Sequence, residues 1–135
     1  MSAFVWEDKY CTQIAEIDRQ HQRLFTLFNE LYDAMQQGHG SDVIDKILTS
    51  VIDYTVYHFA FEEKLMADAG YPQEAAHRAE HEKLTEQAKS LSQRLQGSGA
   101  DVTMATLKFL GDWLTRHILV SDQAYAPTLR AQGVR

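Results

Sequence analysis

A single cysteine, Cys11, leaves no partner for an internal disulfide, and one thiol makes no zinc motif. It reads as a packed or partly exposed thiol, and the chain as one suited to a reducing cytoplasm. Basic residues are also scarce. Thirteen Lys and Arg against 19 Asp and Glu give a net charge of −6, with no Lys/Arg block. Binding nucleic acid requires phosphates to be neutralised, so no nucleic-acid partner is expected, and an anionic membrane surface is disfavoured on the same ground. No apolar run reaches the ~18 residues that span a bilayer, which argues against membrane insertion. The opening stretch, MSAFVWEDKYCTQIAEID, lacks the basic start and apolar core expected of a signal peptide. Alternating β-branched runs bounded by hairpin turns are missing too, so there is little basis for strands.

What is present is helical periodicity. With 44% hydrophobic and 24% charged residues in 135 positions, one compact domain with its own core is expected. Asp18 reads as the cap of a helix running to about Gln37, ended by Gly38-His39-Gly40. Ser41 or Asp42 caps a second, which stops near Gly70. Pro72 suits the first turn of a third, which Gly97 ends. A fourth runs from about Asp101 to about Val120, and Pro127 closes the regular part. Links this short make consecutive helices antiparallel neighbours. The expected fold is all-α: a single domain with an up-down-up-down antiparallel four-helix bundle over residues 18–120. An N-terminal arm over 1–17 lays Phe4, Val5, Trp6 and Tyr10 on the bundle, and a C-terminal segment covers 121–135.

The inward face of each helix follows from positions three and four apart. On the first it reads His21, Leu24, Phe25, Phe28, Leu31, Met35; on the second, Ile44, Ile47, Val51, Tyr54, His58, Glu62, Leu65. On the third it reads His77, His81, Leu84, Ala88, Leu91, Leu95; on the fourth, Leu107, Leu110, Leu114, His117. Histidine or carboxylate interrupts every apolar seam, and alternating helix direction brings all the interruptions to the same end of the bundle. His39, between two glycines, is expected in solvent.

Five imidazoles and a carboxylate in one core layer would cost several kcal/mol in desolvation if left unpaired. Coordination to metal relieves that cost, because neutral imidazole nitrogen and carboxylate oxygen are good ligands. Asp122 is a further candidate with awkward spacing. Five residues after His117 is about 140° around an ideal helix, so it joins the site only if the helix ends or forms a π-bulge there. With Asp122 included, the set exceeds what one ion takes and suits two. Zinc prefers four ligands, often thiolate, and calcium and magnesium prefer oxygen, which leaves iron, manganese or cobalt.

The motifs that carry these residues are QH at Gln20-His21, HFAFE at His58–Glu62, HRAEH at His77–His81 and HILVSD at His117–Asp122. In this order, on four helices, behind a Trp6-containing arm and EIDRQH, the pattern resembles the bacterial hemerythrins. The resemblance implies a non-haem di-iron centre, with a bridging oxo or hydroxo group, that binds dioxygen reversibly as the irons cycle between Fe2+ and Fe3+. By analogy His77, His81 and His117 hold one iron, His21 and His58 hold the other, and Glu62 and Asp122 bridge them. It also implies a protein for oxygen carriage, storage or delivery rather than an enzyme, with an oxygen-consuming enzyme as a possible recipient.

Leu114, Trp113, Phe25 and Ile118 are the expected walls of an O2 pocket, with Leu24, Phe28 and Phe59 as further apolar neighbours. Glu63 and Glu80 flank ligands but point about 100° away from them, and are expected to be surface carboxylates. Tyr125 is expected by default to pack the end of the bundle, the alternative being a hydrogen bond from its phenol near the site, and Gly111 to mark close helix contact. The competing readings are a di-iron enzyme acting on O2, nitric oxide or peroxide, and a module that senses O2 or iron. Imidazole dominance argues against the carboxylate-rich ferritin type of enzyme, and a sensor would be expected to carry a fused signalling domain.

Overall fold

A computed structural model describes residues 4–38, 41–98 and 104–135, leaving aside the side chains at 41, 94–98, 104–106 and 109. A 3-10 turn at Asp8–Tyr10 precedes α1 (Ala15–Gln36), α2 (Ser41–Asp68), α3 (Glu74–Ser98) and α4 (Met104–His117). A π-helical turn, Ile118–Asp122, then leads into a short α5 (Gln123–Ala131). Among the described residues there is no strand. Helices α1 to α4 each pack on their sequence neighbours, and α1 closes on α4. The expected four-helix bundle is therefore observed. The expectations for His39 and Leu95, and for a fourth helix starting at Asp101, fall outside the described residues.

Local chemistry sets the ends of these helices. Asp18 does not stand at the start of α1, as expected, but inside its first turns. From there its carboxylate accepts from the Thr12 and Gln13 backbone N–H groups (2.8 and 3.1 Å) and from the Thr12 hydroxyl (2.7 Å). This clasp satisfies donors ahead of the helix, which starts at Ala15. It also holds Gln13 at φ +64°, a left-handed conformation uncommon outside glycine. At the other end of α2, Gly70 at φ +68° permits a Schellman closure, with the Tyr71 N–H on the Met66 carbonyl at 3.0 Å. Regular structure also continues past Pro127, which sits inside α5. As the fifth of nine residues it removes one interior hydrogen bond, to the carbonyl four residues back, and the helix continues without it.

The apolar interior has two parts. The larger holds Leu24, Phe25, Leu31, Val51, Phe59, Leu84, Leu107 and Leu114; the smaller joins Ile14, Ile17 and Met66 to Tyr125, Ala126 and Leu129 of α5. Along α1 and α2 the histidine layer falls between them, so α5 plugs the end of the bundle above the site. The buried face of α2 is broader than its expected stripe. Leu48, Ile52, Thr55, Phe59 and Met66 are buried, whereas Ile44, Ile47, Tyr54 and Leu65 are half-buried. Contact with both α1 and α3 gives this helix two seams instead of one.

The arm does lie on the bundle. Phe4 is buried, its backbone exchanging two hydrogen bonds with the Asn29 amide (2.9 and 2.8 Å), and Trp6 and Tyr10 pack edge-on against Phe25. Val5, expected under cover, is 62% exposed because alternate residues of an extended segment face opposite ways. Gly111 is forced by this arm and not by a neighbouring helix: a Cβ there would lie 2.1 Å from Cζ of Phe4. No helix of the described residues is long and apolar enough to cross a membrane.

Candidate metal centre

The first two turns of α1 carry His21, the last third of α2 carries His58 and Glu62, the start of α3 carries His77 and His81, and His117 ends α4. Antiparallel packing brings them to one level, as their positions along the helices predict. All seven candidate residues, Asp122 included, are buried to within 4% exposure. That depth matters because ionisable side chains reach it only when compensated.

Asp122 reaches the layer through the π turn. The wider turn takes up the mismatch that places it about 140° away on a regular helix. Its Oδ1 comes 2.8 Å from His77 Nε2 and 3.3 Å from His117 Nε2, and its Oδ2 comes 3.0 Å from His21 Nε2. Glu62 is placed in the same manner. Its Oε1 lies 3.0 Å from His58 Nε2 and 3.4 Å from His81 Nε2, while Oε2 lies 3.4 Å from His21 Nε2. Each carboxylate thus touches both sets of imidazoles. The donor atoms form two clusters in which every atom is within 4.8 Å of the others: His77, His81, His117 and Asp122 in one, His21, His58 and Glu62 in the other.

Several of these close approaches are out of line for hydrogen bonding. Nε2 of His21 and His77, Oε1 of Glu62 and both oxygens of Asp122 are buried with no hydrogen-bond partner among the described residues. Buried polar atoms are rarely left unsatisfied. Imidazole nitrogens and carboxylate oxygens converging on one another are the donor set that a metal ion of borderline hardness requires, so the residues present fit a pair of such ions.

The field in the layer is strong. Burial opposes charge on His21, but the adjacent Asp122 and Glu62 carboxylates win and push it up to about 10. His117 is likewise opposed by burial, yet Asp122, Glu62 and Glu80 raise it to about 9. Burial dominates at His58 and lowers it. The imidazoles hold Glu62 and Asp122 below the usual carboxylate range despite burial. Burial raises the Tyr125 phenol well above its ordinary value, with the Glu62 and Asp122 charges adding to it.

Three residues beside these histidines have roles that sequence reasoning missed. The His58 Nδ1–H donates to Gln20 Oε1 at 2.7 Å, that of His81 to Glu63 Oε2 at 3.0 Å, and that of His117 to Glu80 Oε2 at 2.6 Å. The Ser121 hydroxyl donates to the same Glu80 oxygen at 2.7 Å. Glu63 and Glu80 are therefore not idle surface carboxylates. A residue 100° from its own helix's ligand faces the next helix, and there it meets that helix's ligand. Tyr125 does more than pack: it is fully buried, and its hydroxyl donates to Glu62 Oε2. Its spacing of three from Asp122 was the available signal.

The expected pocket residues lie around the layer. Leu114, Phe25 and Ile118 are buried in the main core, and half-buried Trp113 stacks on His117 at 5.3 Å and 9°. Phe4, Phe25, Phe28, Gly111, Leu114 and Thr115 line a crevice too narrow to admit a water molecule.

Comparison with known proteins identifies the family. The family pattern described as "Hemerythrin HHE cation binding domain" matches residues 12–129. Bacteriohemerythrin of Stenotrophomonas maltophilia (strain R551-3) is 40% identical over 134 residues, covering 97% of this chain and 84% of that protein. Bacteriohemerythrin of Methylococcus capsulatus (strain ATCC 33009 / NCIMB 11132 / Bath) is 37% identical over 132 residues, covering 97% and 100%. A crystal structure of wild-type hemerythrin superposes with a TM-score of 0.88 at 36% identity, covering 94% of this chain and 98% of that one. A leucine-to-alanine mutant of hemerythrin gives 0.90 at 35% identity, covering 96% and 98%.

Proposed function

The chain belongs to the hemerythrin family, and from that premise we propose that it binds dioxygen reversibly at a non-haem di-iron centre. His77, His81 and His117 would hold one iron, His21 and His58 the other, with Glu62 and Asp122 bridging. The observation that carries this reading is the set of buried, unpartnered donor atoms shared across two clusters by the same two carboxylates. Bound there, the iron pair would supply the electrons that dioxygen binding needs.

The protein's own contribution is placement and exclusion. Two carboxylates and five imidazoles on four helices hold the donor atoms without reorganisation. Leu24, Phe25, Phe59, Leu114 and Ile118 are each at most 4% exposed and keep water from the layer. Dry surroundings suppress proton delivery, and without protons a bound oxidant is released in preference to being reduced further. The Tyr125 hydroxyl is committed to Glu62, and Glu63 and Glu80 face the outer nitrogens of the imidazoles, so neither group acts as an acid on the inner side. This supports a carrier or store of oxygen over an enzyme.

The test is iron content followed by reversibility. Purified protein should hold two irons per chain, and the anaerobic ferrous form should gain a visible band in air and lose it under vacuum through repeated cycles. One-way conversion to a ferric product in a single exposure would replace the carrier reading with an oxidase or sensor.

A further inference from the structure

The two metal subsites are not built alike. On the three-imidazole side, the Nδ1–H groups of His81 and His117 donate to the carboxylates of Glu63 and Glu80. On the two-imidazole side, His58 donates to the neutral amide of Gln20, and Nδ1 of His21 is buried with no partner among the described residues. Ring packing repeats the contrast for two of the three imidazoles, the third, His77, meeting Tyr125 at a tilt of 47°. His81 lies flat on Phe59 at 3.7 Å and 3°, and His117 flat on Trp113 at 5.3 Å and 9°. His58 and His21 meet Phe59 and Trp6 only at tilts of 47° and 41°. An imidazole that donates to a carboxylate is a more basic ligand with a fixed tautomer, and such partners change metal affinity by about 10–100-fold.

Resting on the di-iron reading above, we propose that Glu63 and Glu80 are positioning residues that make the centre fill and empty in order. The His77/His81/His117 subsite takes metal first and yields it last, and the His21/His58 subsite exchanges. Both carboxylates reach solvent, with side-chain exposures of 26% and 45%, so a change of charge there leaves no buried group stranded. The Ser121 hydroxyl holds Glu80 in place, which keeps its hold on His117 rigid although the helices carry them separately. Sequential loading has a use: one ion secured first shapes the bridging carboxylates for the second.

The experiment loads the full chain with two equivalents of ferrous iron under anaerobic conditions, then follows release to excess colourless-to-coloured ferrous chelator. The expected release has two phases of one iron each. Glu63→Gln with Glu80→Gln should shorten the slow phase about 10–100-fold and leave the fast phase unmoved. Gln20→Leu should do the reverse, quickening only the fast phase. Single Glu63→Gln and Glu80→Gln variants, which keep an acceptor of the same shape, serve if the double variant melts early. Release of two irons in one phase from the unaltered chain overturns the proposal and leaves the di-iron reading standing. Equal acceleration of both phases by the glutamate variants, or of neither, also overturns it. Failure to load two irons overturns the di-iron reading itself.

Discussion

Glu80 Oε2 lies 2.6 Å from Nδ1 of His117, although Glu80 neighbours His81 in sequence and stands on a different helix from the imidazole it holds. The same displacement recurs at Gln20, beside His21 but bonded to His58, and at Glu63, beside Glu62 but bonded to His81. Each of α1, α2 and α3 thus contributes a ligand to the interior and, one residue from a ligand, a support for the ligand of the next helix. The layer is held as a chain of dependence running from α1 to α4, which is why its order depends on how the helices pack.

Tyr125→Phe should destabilise the metal-free protein by about 1–3 kcal/mol, because Glu62 Oε2 loses its donor in a fully buried site. Urea denaturation of chelator-treated protein measures it. A loss under about 0.5 kcal/mol would mean that the hydroxyl merely fills space.

Gly111→Ala should release Phe4 from its seat, since the new methyl would overlap that ring. Losing the burial of one phenylalanine costs about 1.5–3 kcal/mol, against about 1 kcal/mol gained in helix propensity. In a Phe4→Ala background the sign should reverse, leaving the propensity gain alone. A double-mutant cycle by thermal or urea melting decides; additive effects would show that Phe4 is not the obstacle.

Leu114→Ala should speed the one-way conversion of the ferrous protein to ferric in air, because a buried apolar wall, one turn before His117, is replaced by space that water can enter. It should also cost about 2–5 kcal/mol in stability. Stopped absorbance traces in air measure the first effect, and an unchanged rate would exclude Leu114 as a barrier.

Metal uptake should expel protons at neutral pH. His21, pushed up to about 10, and His117, pushed up to about 9, are protonated at pH 7 without metal, whereas a metal ion takes only the neutral imidazole. Loading in weakly buffered solution should therefore acidify it, and apparent affinity should rise with pH until about 9 to 10. The sign for the metal-free fold is opposite. A raised imidazole pKa stabilises it fully below the ordinary value of about 6.5, and the contribution fades as pH climbs through the raised values. An indicator dye during anaerobic ferrous titration follows the protons, and no release would contradict the charged layer.

The four helices and their common polar end were legible because both are local properties repeated along the chain. A 3.6-residue period announces a helix wherever it occurs, and short links leave one way to stack consecutive rods. His21, His58, Glu62, His77, His81 and His117 could be placed at one level by counting alone, and the structure brings them there. Asp122 could not. Whether a helix widens by one residue depends on the balance between strained backbone and satisfied neighbours, and HILVSD does not state that balance.

What the amino-acid order determined by itself is periodic: which residues share a face and at what height. What the tertiary structure decided is azimuthal: which face meets which neighbour. Gln20, Glu63 and Glu80 find partners 38, 18 and 37 residues away, and Tyr125 finds Glu62 at 63. Those pairings exist only after the helices pack, because a side chain turned 100° from its own helix's seam has no defined neighbour until another rod is laid against it.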